Sequence, residues 1–331
     1  MHDVRTFLSR NDKQISKSIK RFFTRFHVSS ALKASNAYKK KGVPVMEIFQ
    51  YLFLLIFSNR SMYMNLITGR NTPDFAKDTV YRFMKMIQIN WIRFTTILST
   101  RIIRDAILPL NSEDRANVLI IDDSMFERNR SKKVELLAKV YDHAKHKYRF
   151  GFRMLTLGWS DGSTFLPVNS VLLSTENRKN RINEATEVDK RTVGYKRKEY
   201  LCLISTDVNL DENEIIRIYG KRWDIEVFFK VCKSYLNLSK ECNSLSYDAM
   251  TAHTAVVFTR YMMLSLESRE SNDNRSLREL FLYFSDEMSD ITWIQAFQML
   301  LQMFRTMLLD NTELSDEKIN EIQQQKGGLS K

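Results

Sequence analysis

The stretch "YGKRWDIEVFFKVCK", Tyr219 to Lys233, has the spacing of an amphipathic helix. At about 100° per residue, Tyr219, Arg222, Glu226 and Lys233 fall in one narrow stripe with Lys230 at its edge. Ile225, Phe228, Phe229 and Cys232 occupy the other faces and anchor the helix in a core. One acid is thereby ringed by cations and a phenol. Two readings fit. The stripe is either a solvated face with four-residue ion pairs, each worth about 0.3–0.5 kcal/mol, or a charged cluster built around a ligand. The preceding "DENEIIRIY" belongs to the same long helix and places Asp and Glu in its first turn, where they favour the helix dipole.

Upstream, the hydrophobic period changes from that of a helix to that of strands. "NVLIIDDS", from Asn117, is a run of branched residues that predicts a buried strand with carboxylates at its C-terminal end. "YRFGFRMLTLGWS" and "STFLPVNSVLLS" are extended runs separated by Asp161-Gly162, a hairpin signal. "NRKNRINEATEVDKRTVGYKRK" is basic and aperiodic, and "YLCLIST", Tyr200 to Thr206, reads as one more strand. Residues 1–110 read as helical, with a helix expected to begin near Pro44 after the Lys39–Lys41 run. A second is expected from Pro73, capped by Thr72. Residues 241–331 read as helical again through "DAMTAHTAVVFTRYMMLSL" and "WIQAFQMLLQMF", with a frayed tail. The expected organisation is therefore an N-terminal helical region 1–110, an α/β core 111–240 and a C-terminal helical region 241–331.

The 331 residues carry 51 Lys+Arg against 39 Asp+Glu, a net charge of +12. That excess favours a polyanionic partner, nucleic acid first and an anionic membrane surface second. The N-terminus has charges where a signal peptide needs an apolar run. The most apolar run, Ile48 to Phe57, is far shorter than the roughly 20 residues of a spanning helix. A cytoplasmic protein with no membrane association is expected. Three cysteines, Cys202, Cys232 and Cys242, show no metal-binding spacing and read as buried thiols. His143 and His146 have a spacing that could ligate a metal on one helical turn but lack a third partner. His253 reads as a core or surface histidine, and no Gly-rich phosphate loop is present.

The order Tyr219, Arg222, Glu226, Lys233, together with "IIDDS" and "STDVNLDENEIIRIYGKRW", resembles the DDE transposases of bacterial insertion sequences. The likeness is to the group with a Y-R-E-K signature, insertion-sequence family four, and spans roughly Val118 to Leu238. It implies an RNase H-like mixed-sheet core in which three acids bind two Mg²⁺ (or Mn²⁺) ions and cut and join DNA at inverted-repeat ends. Acids converging on paired cations suit phosphodiester chemistry, because one ion activates the nucleophile and the other stabilises the leaving oxygen. Carried over, Asp123, followed by Ser124, matches the first acid, with Asp122, on the opposite face of the strand, as the alternative. Glu226 matches the third acid. Tyr219, Arg222 and Lys233 match residues that hold DNA phosphates, with Lys230 beside them. Asp123 and Glu226 would be the metal ligands.

The resemblance breaks at the second acid. The hairpin, the basic loop and the Tyr200 strand fill most of residues 124–225, and no apolar strand ending in Asp remains. Asp142, Asp161, Asp189, Asp207 and Asp211 sit in loops or at the helix start. An internal deletion near Lys198-Glu199 would explain this, leaving a shortened core with weakened metal binding. Two functions of different class then stand: an insertion-sequence transposase, degenerate and inactive, or a non-catalytic DNA-binding regulator or inhibitor. Either would act on double-stranded inverted repeats near the nucleoid, as a homodimer or a mixed dimer with an intact transposase. A basic helical binding protein in which the stripe is coincidental is the third possibility.

Overall fold

The computed structural model describes residues 17–57, 61–68, 73–111, 117–143, 145–175, 177, 179–184, 222–270, 276–285, 297–298 and 300–302. Among the described residues six α-helices come first: α1 (Lys17–Arg25), α2 (Val28–Ala34), α3 (Val45–Leu54), α4 (Met62–Thr68), α5 (Lys77–Met84) and α6 (Trp91–Ile102). Their buried faces follow the helical period, as in α1 with Ile19, Phe22 and Phe23 continuing into Phe26. Phe23, Phe49, Phe53 and Phe94 interlock, with ring centroids 4.9 Å apart for Phe23–Phe53 and 5.2 Å for Phe49–Phe94. Pro44 directly precedes α3, as its fixed φ and missing N–H predict. The next start differs from expectation: α5 begins at Lys77, because Phe75 packs on Tyr51 and Ala76 stays extended. Thr72 lies outside the described residues. Asn90 caps α6, its side chain accepting from the Arg93 N–H.

Among the described residues four antiparallel strands form the sheet: β1 (Val118–Glu127), β2 (Ala138–Asp142), β3 (Lys147–Ser160) and β4 (Phe165–Leu173). β3 is central. It pairs with β1 along residues 151–160, with β4 along 153–160 and with β2 along 147–151. The hairpin expected at Asp161-Gly162 is present, as a four-residue loop between Ser160 and its register partner Phe165. Asp161 builds it by accepting from the N–H groups of Ser163 and Thr164 at 2.8 and 2.7 Å. Next to it, Gly158 faces the Phe165 ring so closely that a Cβ would lie 2.1 Å from it. The register slips at this point, with Pro167 in the irregular stretch where its missing N–H is tolerated.

β1 corrects one expectation. The strand does not end at its acids but runs on to Glu127, because Phe126 buries fully and residues Ser124–Glu127 pair with Met154–Gly151. Asp122 and Asp123 therefore sit in mid-strand.

Two helices complete the described core, α7 (Trp223–Ser234) and α8 (Tyr247–Glu270). α8 is buried on all sides from Ala252 to Glu267, its apolar residues enclosing His253, Arg260 and Glu267. It packs against α3, α5, α6, α7 and β4, and α6 packs on β4. The change near residue 110 is thus one of element type, while a single apolar core crosses it. Residues 277–285 form a further helical turn region, with Phe281 and Phe284 against Phe57. The Tyr200 strand, the basic segment before it from residue 185, most of "WIQAFQMLLQMF" and the tail lie outside the described residues. No described helix is long and apolar enough to cross a membrane.

Candidate active site

Alternation along β1 decides what meets α7. Ile120, Asp122, Ser124 and Phe126 share one face, and Ile120 and Phe126 bury in the core. α7 is fixed over this face by Ile225, Phe228, Phe229, Val231 and Cys232, all buried. Phe228 packs edge-on to Tyr261 at 4.7 Å and to Phe258 at 5.1 Å. A polar tie helps, since Ser160 at the end of β3 donates to Asp224 at 2.6 Å.

The charged side chains then converge. The Arg222 guanidinium donates through Nη1 to Asp122 Oδ2 at 2.9 Å and through Nη2 to Glu226 Oε1 at 2.8 Å. Asp122 also accepts from the Asp123 N–H at 2.8 Å. Burial pushes the Asp122 carboxyl above its usual range, opposed by that N–H and by Arg222, with Asp123 and Glu226 adding to the rise. Further along, the Lys233 ammonium donates to Ser124 Oγ and lies 5.9 Å from the centre of the Phe229 ring. Burial lowers the Lys233 pKa, partly offset by Glu127 and Asp142.

Asp123 points the other way. Its carboxylate pairs with Arg153, whose second amino group donates to the Tyr141 carbonyl at 2.8 Å. Leu119 and Ile121 share this outer face and are 67 % and 65 % exposed. The fold therefore brings together Asp122, Arg222 and Glu226, with Lys233 on Ser124 beside them, and directs Asp123 away. Lys230 is exposed on α7. Tyr219 lies outside the described residues, as do Asp189, Asp207 and Asp211. Arg153 and Asp224 were not anticipated from the sequence. Their partners are set by strand register and helix placement, which no local pattern encodes.

Asp122 and Glu226 supply hard carboxylate oxygens of the kind that Mg²⁺ or Mn²⁺ takes, and a shared positive charge already holds them together. That donor set suits one divalent ion. Among the described residues no three His, Cys, Asp or Glu side chains are grouped to hold a metal ion. Asp142 and Asp161 are committed elsewhere, Asp142 near Arg149 at 3.7 Å and Asp161 to the hairpin and Arg269. His143 and His146 lie in the turn between β2 and β3, not on a helix. His253 is a core histidine, as one reading expected: it is buried, with Nε2 3.4 Å from the Asn237 carbonyl, and burial lowers its pKa to about 4.

No curated protein and no solved structure matches the chain. A family model described as DDE superfamily endonuclease matches residues 51–214, a span that takes in the β1 acids and the β3–β4 hairpin and ends before α7. The match supports a DDE-type transposase or nuclease, in keeping with an α/β fold whose antiparallel sheet carries acids beside a helix.

Proposed function

We propose that the chain derives from an insertion-sequence transposase acting on double-stranded inverted-repeat ends, with Asp122 as its first acid and Glu226 as its helix-borne acid. The observation that carries the reading is the placement of these two carboxylates, from β1 and α7, on one guanidinium. This geometry favours Asp122 over Asp123, whose carboxylate serves Arg153 on the other face of the sheet. Arg222 and Lys233 are positioned for phosphates, Arg222 as a planar two-point donor and Lys233 as a point charge. Lys230 adds an exposed cation on the same helix. Tyr219 completes the signature by sequence alone. A divalent ion bound by Asp122 and Glu226 would stabilise charge on a phosphoryl oxygen. The protein's own part is to orient that ion between strand and helix and to hold the DNA backbone with its cations.

The same reading makes the enzyme degenerate. Should the chain lack a second-acid strand, as its sequence pattern indicates, attacking and leaving oxygens would not both be stabilised, and about 1.4 kcal/mol of lost transition-state stabilisation is already tenfold in rate. DNA binding without chemistry, as a regulator or inhibitor in a homodimer or mixed dimer, is the resulting activity. The test incubates the protein and Mg²⁺ or Mn²⁺ with duplex carrying the inverted repeats that flank its coding sequence. Selective binding without cleavage is expected. Cleavage that disappears in both Asp122→Asn and Glu226→Gln would keep the assignment of the acids and refute the degeneracy. Absence of any preference for the repeats would refute the transposon-end reading.

A further inference from the structure

Arg222 spans two carboxylates from elements a hundred residues apart in sequence, and it does so through the oxygens a metal ion would need. With Asp123 one residue along, the acid pair carries a repulsion that some cation must offset. A divalent ion between Asp122 and Glu226 would displace the guanidinium, so ion and Arg222 compete for one set of acceptors. Arg222 is able to leave: its side chain is 39 % exposed and it stands at the edge of α7, not within the packed core.

Resting on the assignment of Asp122 and Glu226 as ligands, we infer that Arg222 is a latch that couples metal binding to DNA binding. In the DNA-free protein it bridges the acid pair and offsets one of its two charges. When a duplex enters, it moves to a backbone phosphate and uncovers the two carboxylates for the ion. The ion alone costs Arg222 its two carboxylates, and DNA alone costs the carboxylates their guanidinium, so each ligand favours the other. Linkage makes the effect reciprocal, and a coupling of ordinary size corresponds to roughly 5- to 150-fold tighter ion binding with DNA present.

The test titrates the full chain with Mn²⁺, following free ion by electron paramagnetic resonance, with and without a short duplex whose own Mn²⁺ uptake is subtracted. The duplex is expected to tighten Mn²⁺ binding to the parent by roughly 5- to 150-fold. Arg222→Gln is expected to bind Mn²⁺ more tightly than the parent without DNA and to gain little more from the duplex. Arg222→Lys, which keeps the charge but cannot bridge both acids, should fall between them and serves if the Gln variant does not fold. Variants that bind Mn²⁺ no better than the parent without DNA, or that keep its full DNA enhancement, overturn the latch. Asp122→Asn and Glu226→Gln separate the two levels. Loss of Mn²⁺ binding in both, with an unresponsive Arg222 variant, sinks the latch alone. Binding retained in both sinks the ligand assignment beneath it.

Discussion

Arg260→Met removes a fully buried guanidinium from the middle of α8. Arg260 donates to the Phe53 carbonyl at 3.0 Å and to that of Leu52, where α3 ends, and holds Glu241 at 2.6 and 3.1 Å. Methionine fills much of the volume but satisfies none of these acceptors. Breaking a buried pair by removing one partner costs about 3–5 kcal/mol, because the other charge stays buried unpaired. With an unfolding entropy near 2.1 cal/mol/K per residue, a chain of this length has roughly 0.7 kcal/mol/K, so a loss of about 4 kcal/mol lowers Tm by about 6 °C. Thermal and urea unfolding measure it. The double variant Arg260→Met/Glu241→Leu should recover a large part of the loss, since it removes the stranded carboxylate. A single-variant loss below about 1 kcal/mol, or a double variant no better than the single, would refute the claim that charge stranding sets the cost.

His253 titrates lower in the folded than in the unfolded chain, about 4 against 6.5. The unfolded state therefore binds more protons in that window, and stability falls as pH drops from 6.5 towards 4, by at most about 3 kcal/mol. His253→Leu should flatten this slope in urea titrations at several pH values, and an unchanged slope would assign it to other groups. Gly158→Ala drives a methyl into the Phe165 ring. A loss of about 1–3 kcal/mol is expected from that overpacking, relieved in part by Phe165→Leu; equal stability of Gly158→Ala and parent would show that the hairpin shifts freely. Lys233→Met should reduce the slope of log affinity for duplex DNA against log salt by about one unit if the ammonium meets one phosphate. Identical slopes would leave Lys233 as a purely internal partner of Ser124.

Where a pattern repeats locally, the sequence was legible. Ile225, Phe228, Phe229 and Cys232 predicted the buried side of α7, the Asp161-Gly162 pair predicted the hairpin, and "DAMTAHTAVVFTRYMMLSL" read as a helix, which α8 is. The starting residue of α5 was misjudged because Phe75 is held by Tyr51, a contact distant in sequence. The end of β1 was misjudged for a similar reason, since Ser124 and Glu127 look like strand breakers until β3 is paired beside them. Alternation already said that Asp122 and Asp123 face opposite ways, but not which way was inward. That depended on where α7 and Arg153 lie, and both are tertiary facts.

Two neighbouring acids in mid-strand also bear on how this region tolerates change. Val118 to Ile121 are apolar at every position, so the first half of β1 would accept either face as its inner one. A one-residue slip, such as a deletion in the preceding loop would impose, would turn Leu119 and Ile121 inward and present Asp123 to α7. An acid would still face the helix. Only the second half of the strand resists, because Phe126 is fully buried and its carbonyl lies where a Cβ on Gly151 would stand, 2.1 Å away. The buried ring of Phe126 thus fixes the register in which Asp122, and not Asp123, faces α7.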